Sequence, residues 1–109
     1  MVSAAEHSVG LLLALARNVP QAHGALVEGR WERSLWTGVE LFHKTVGIVG
    51  LGRVGRLVAQ RLSGFDVQIL AFDPFVSSES AREVNAEMVK LDELLARSDF
   101  VSVHLPKTE

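Results

Sequence analysis

Apolar and polar positions follow two different rhythms along this chain. From Thr45 onward, short apolar runs rich in β-branched residues are separated by stretches with helical spacing. The runs Thr45–Val49, Val67–Phe72, Glu87–Val89 and Phe100–His104 read as strands. Between the first two, Val54, Leu57, Val58 and Leu62 fall on one side of a helix, with Arg53, Arg56, Gln60 and Arg61 on the other. Further helices fit Ser78–Asn85 and Asp92–Ser98. Strands alternating with helices predict an α/β fold, a doubly wound parallel sheet with right-handed crossovers. The expected strand order is 3-2-1-4, which places the switch point between the first and fourth strands, where such sheets take ligands. The fourth strand would then be a bare apolar edge. Residues 43–109 therefore read as the first half of a larger sheet, and the chain as a truncated domain.

Residues 1–42 carry no strand pattern. Ser3-Ala-Ala-Glu6 has the spacing of a capping box, which predicts a helix from Ser3 to about Arg17, broken at Asn18-Val19-Pro20. Val9, Leu11, Leu12, Leu13, Leu15 and Ala16 leave this helix almost no polar face. A helix apolar all round is covered on more than one side, so a partner surface is implied. A second helix fits Gln21–Glu28, and a loop carries Trp31 and Trp36. The run Val9–Ala16 mimics the core of a signal peptide. It is preceded by Glu6 and His7 with no Lys or Arg, and it is too short to span a bilayer.

Composition narrows the classes. The 109 residues make one domain or part of one, and 48% hydrophobic content suffices for a core. A formal net charge of −2 provides no basic footprint for nucleic acid or an anionic membrane. With no cysteine, disulfides, thiolate catalysis and thiolate metal sites are excluded, which fits a cytoplasmic protein; no metal site is expected.

The chemistry concentrates at Thr45-Val-Gly-Ile-Val-Gly-Leu-Gly-Arg-Val-Gly55. Gly50, Gly52 and Gly55 spell G-x-G-x-x-G after a strand and into a helix, and Asp73 lies eighteen positions beyond Gly55. Each part suits a dinucleotide. Gly50 permits the tight turn, Gly52 lets backbone approach the pyrophosphate, and Gly55 lets the helix sit close to the strand. The helix starting near Arg53 aims free N–H groups at the phosphates. Asp73 is placed to hold the adenosine ribose, and its charge favours NAD over NADP. His104, Leu105 and Pro106 would form the opposite wall of the crevice. The segment Gly38–Thr45 is one residue from a P-loop, but His43 breaks it and Lys44-Thr45 leads into a strand, so ATP binding is not expected.

Three segments together resemble one family: Ser3–Arg17, Val46–Gly55, and Leu91-Asp-Glu-Leu-Leu-Ala-Arg-Ser-Asp-Phe-Val-Ser-Val-His-Leu-Pro106. They are similar to the nucleotide-binding domain of the D-2-hydroxyacid dehydrogenases, across essentially the whole chain. The resemblance implies a partial Rossmann fold and hydride transfer between NAD and a small-molecule substrate, a D-2-hydroxy acid. It implies that Arg53 and Val54 meet the pyrophosphate through their amides, that Asp73 holds the ribose, and that Leu105 and Pro106 line the nicotinamide side. It implies a homodimer through this domain, built on the first helix and the tryptophan segment, with Leu12 and Trp31 as contacts. It makes Arg33 a candidate substrate contact reaching a partner's site. The family's catalytic Arg, Glu and His match no residue here, so the isolated chain is expected to be inactive. His104 lacks a carboxylate partner and is not expected to act as a base. The alternative is a non-catalytic NAD(H)-binding or dimerising module.

Three positions depart from the family pattern. His43 and Asp66 stand where glycine is usual, and a left-handed backbone there would cost roughly 1 kcal/mol each, less for Asp. Gly64 is then expected to serve as the helix C-cap. Lys90 replaces a common capping Ser, which loses about 1 kcal/mol.

Overall fold

The computed structural model describes residues 1–106, so the last three residues of the 43–109 unit lie outside the described residues. Its elements are α1 (Val2–Ala16), α2 (Val19–Val27), β1 (Thr45–Val49), α3 (Arg53–Leu62), β2 (Gln68–Phe72), α4 (Ser78–Arg82), β3 (Ala86–Met88), α5 (Leu91–Arg97) and β4 (Phe100–Val103). All strand pairs are parallel, and the sheet order is β3-β2-β1-β4. Val46 lies opposite Ile69 on one side and Phe100 on the other.

The period of two along the strands decides which helix covers which face. Val46, Ile48, Ile69 and Ala71 join Ala5 and Ala16 of α1, Val58, Ala59 and Leu62 of α3, and Ala81 of α4 in the main core. The intervening Val49 and Leu70 face the other way and pack with Val89 and with Leu94 of α5. Residues 53–62 form a helix because their apolar positions recur at three and four, burying Val58, Ala59 and Leu62 while Arg53 and Gln60 stay exposed.

Residues 19–40 form an arm. The radius of gyration is 15.5 Å, against roughly 13 Å for a compact domain of this length, and the long axis is 50 Å. Helix α2 buries only Ala25, and Trp31 is 74% exposed.

Several expectations are corrected. The capping box at Ser3 does not form: α1 begins at Val2, Met1 is its N-cap, and no side chain caps it. Ser3 is already helical, whereas a capping Ser needs extended backbone. Helix α2 begins at Val19 rather than Gln21, because Pro20 sits in its first turn, where a missing N–H costs nothing. Strand β3 lies one residue earlier than expected. Helix α4 stops at Arg82, followed by a left-handed Asn85 (φ 60°). The reversal after α3 is made not by Gly64 but by Asp66 (φ 57°), because the helix runs on as a 3-10 turn over Ser63–Phe65. His43 is also left-handed (φ 60°), and its N–H donates to the Asp66 carbonyl at 3.0 Å. Both non-glycine residues therefore do hold the strained conformation. Lys90 is the N-cap of α5 and makes no capping bond. Among the described residues β4 is an edge strand of the sheet, and its Val101 and Val103 are 43% and 63% exposed.

Candidate dinucleotide site

The β1–α3 turn is built by close approach. Gly50 has φ +96°, and a Cβ there would stand 2.6 Å from the His104 carbonyl oxygen. Only glycine lets this turn lie against the end of β4. Gly55 is buried at the start of α3, and a Cβ on it would collide with the Gly50 carbonyl. By contrast, nothing lies within 4 Å of a Cβ placed on Gly52. The turn is thus closed against protein at Gly50 and Gly55 and open at Gly52.

That opening faces unpaired donors. The first backbone bond of α3 runs from the Arg56 N–H to the Gly52 carbonyl at 2.9 Å. The N–H groups of Arg53, Val54 and Gly55 have no acceptor among the described residues, and no side chain caps the helix. Three free amides at the positive end of a ten-residue helix form an anion site. Gly52, Arg53 and Val54 line a crevice of about 630 Å³ whose far wall is Val103, His104, Leu105 and Pro106. The expected residues of both walls are therefore brought together, at the switch point between β1 and β4.

Asp73 stands at the end of β2, half-buried, and braces the same turn. Its Oδ2 accepts from the Leu51 N–H at 2.8 Å and its Oδ1 from the Phe75 N–H at 2.9 Å. Each carboxylate oxygen can accept a second bond, so capacity remains for ribose hydroxyls. The Leu51 amide as a partner of Asp73 was not legible in the sequence. Nor was the hollow beside Asp73, about 510 Å³, lined also by Phe72, Met88, Val89, Lys90 and Glu93. The 3-2-1-4 order contains that signal: with β3 next to β2, residues just after β3 must flank Asp73.

His104 is half-buried, and its Nε2 lies 2.7 Å from the Ser102 Oγ. Burial pushes the imidazole below its ordinary pKa, so it is neutral near pH 7. Among the described residues no carboxylate lines its crevice. Arg33 is exposed and lines a separate hollow on the arm with Arg30, Trp31 and Trp36, which shares no residue with the crevice. Leu12 packs against the main core, leaving Leu11 and Leu15 as the strongly exposed leucines of α1, at 58% and 68%.

A parallel 3-2-1-4 sheet with free helix amides at its switch point and a carboxylate ending β2 defines a dinucleotide-binding domain. Residues 9–109 match the family model of the D-isomer specific 2-hydroxyacid dehydrogenase NAD-binding domain, and the chain belongs to that family. It is 55% identical over 106 residues to D-3-phosphoglycerate dehydrogenase of Mycobacterium tuberculosis, covering 97% of this chain and 20% of that protein. Against the Archaeoglobus fulgidus D-3-phosphoglycerate dehydrogenase it is 48% identical, covering 99% and 20%. Among solved structures, the apo D-lactate dehydrogenase of Escherichia coli superposes with a TM-score of 0.89 at 34% identity, over 98% of this chain and 34% of that one. The NAD-dependent formate dehydrogenase of Staphylococcus aureus, solved in complex with NAD, gives 0.86 at 41% identity, over 98% and 32%. The chain thus spans about a fifth of the length of these curated relatives.

Proposed function

We propose that this chain is the NAD(H)-holding portion of an oxidoreductase that moves hydride between NAD and a D-2-hydroxy acid, with D-3-phosphoglycerate as the substrate and serine synthesis as the route served. The observation that carries the reading is the set of free Arg53, Val54 and Gly55 amides at the start of α3, where Arg53 and Val54 line the crevice, with Asp73 braced on the same turn. The amides would hold the pyrophosphate beside the open Gly52, Asp73 the ribose, and Leu105 and Pro106 the nicotinamide side. Bound NAD would supply the hydride acceptor. This chain's residues would orient it and keep one face against the protein. The substrate assignment is supported by the naming of the relatives at 55% and 48% identity.

Residues 1–42 act in this reading as a dimerisation lead-in and 43–109 as the cofactor half. Leu11, Leu15 and Trp31 offer the exposed apolar surface a homodimer would cover, and Arg33 would reach a partner's site from the arm. A cytoplasmic protein suits a chain without cysteine.

The isolated chain binds the cofactor but turns nothing over. Among the described residues its crevice contains no carboxylate, and the imidazole of His104 is neutral and bonded to Ser102. A positioned acid or base is worth about 10²–10⁴-fold, and a substrate clamp contributes a proximity term of ~7–11 kcal/mol in favourable cases. Calorimetric titration should show NADH bound more tightly than NADPH, with the preference weakened in Asp73→Ala. NADH formation from D-3-phosphoglycerate should stay at background. Equal affinity of the unmutated chain for both cofactors, or turnover abolished by His104→Ala, would overturn the reading.

A further inference from the structure

The hollow beside Asp73 contains a cation that a plain dinucleotide does not require. Lys90 follows β3 and lines this hollow together with Asp73 and Glu93. Glu93, the neighbour able to neutralise it, is paired with Arg97, which also bonds Glu87 at 3.4 Å. Asp73 accepts from the Leu51 and Phe75 amides and forms no ion pair with Lys90. Among the described residues Lys90 enters no ion pair, and as N-cap of α5 it makes no capping bond. It is exposed. Its stem and charge therefore have no evident structural task.

We infer that Lys90 is a cofactor-specificity residue: its ammonium offsets part of the repulsion that Asp73 exerts on a ribose 2′-phosphate. The inference rests on the proposal that Asp73 meets the adenosine ribose. A 2′-phosphate adds up to two negative charges at that ribose, and the Asp73 carboxylate alone would exclude it strongly. A positive charge lining the same hollow cancels part of that field. The 2′-hydroxyl of NAD(H) carries no charge and is indifferent to Lys90. The domain thus prefers NAD(H) while keeping a measurable affinity for NADP(H), and Lys90 sets how large the gap is.

The test is the ratio of NADPH to NADH dissociation constants for the 109-residue chain, read by nicotinamide fluorescence. Lys90→Gln should raise the ratio about five- to tenfold, the size of a partly screened unit charge. The NADH constant should stay within about twofold. Lys90→Arg should keep the ratio of the unmutated chain, and the difference between the Gln and Arg variants should shrink as KCl is raised. An unchanged ratio in Lys90→Gln, or equal weakening of both cofactors, would overturn the assignment while leaving the site at Asp73 intact. Failure of the unmutated chain to bind either dinucleotide would overturn both.

Discussion

Gly55→Ala adds a single methyl group and tests how the turn and helix are built. The new Cβ would lie 3.1 Å from the Gly50 carbonyl carbon and closer still to its oxygen, while the Ile48 side chain stands at 3.5 Å. Relief requires α3 or the Gly50 turn to shift on the order of 1 Å, since non-bonded carbon contacts settle near 3.5–4.0 Å. Gly50 cannot retreat, because it is held at φ +96° against the His104 carbonyl. Overpacking of this kind costs about 1–3 kcal/mol, which lowers Tm by roughly 5–20 °C in a domain near 100 residues. The same shift misaims the amides of Arg53, Val54 and Gly55. Loss of one charge-assisted bond, about 1.5–3 kcal/mol, weakens NADH binding about 10- to 100-fold. Gly10→Ala is the counterpart: Gly10 is inside α1, with nothing within 4 Å of a Cβ, so alanine should add about 0.5–1 kcal/mol. Thermal unfolding followed by circular dichroism, with NADH titration, measures both variants. A Gly55→Ala protein with unchanged Tm and NADH affinity would refute the close-approach reasoning.

Two further outcomes are expected. Leu11→Glu combined with Leu15→Glu should convert a dimer to a folded monomer in sedimentation, because both side chains are exposed on α1; a monomeric unmutated chain would remove the dimer proposal. The folded His104 imidazole is held below its ordinary value of 6.5 by burial, so as pH falls the unfolded chain takes up that proton first. The stability this histidine contributes is present above about pH 6.5, is lost as pH falls toward the folded pKa and is flat below it. Denaturant midpoints should show this component in the unmutated chain and not in His104→Gln.

The strand–helix alternation, the strand order and the placement of Gly50, Gly52, Gly55 and Asp73 were legible in the residue pattern alone. These rest on local periodicity and on an obligatory glycine pattern, both written in consecutive residues. The strain at His43 and Asp66 was legible for the same reason, since a departure from glycine at a turn is a local fact. The element ends were not. Whether Ser3 caps a helix, or Gly64 rather than Asp66 reverses the chain, is settled by differences near 1 kcal/mol that neighbouring packing overrides. Tertiary structure alone decided that Leu12 turns inward while Leu11 and Leu15 face out, because an all-apolar helix carries no mark of which side meets α3. It alone placed Lys90 beside Asp73, seventeen residues away in sequence. Parallel pairing of β2 with β3 aligns their carboxyl ends, and residues distant along the chain come to share one hollow.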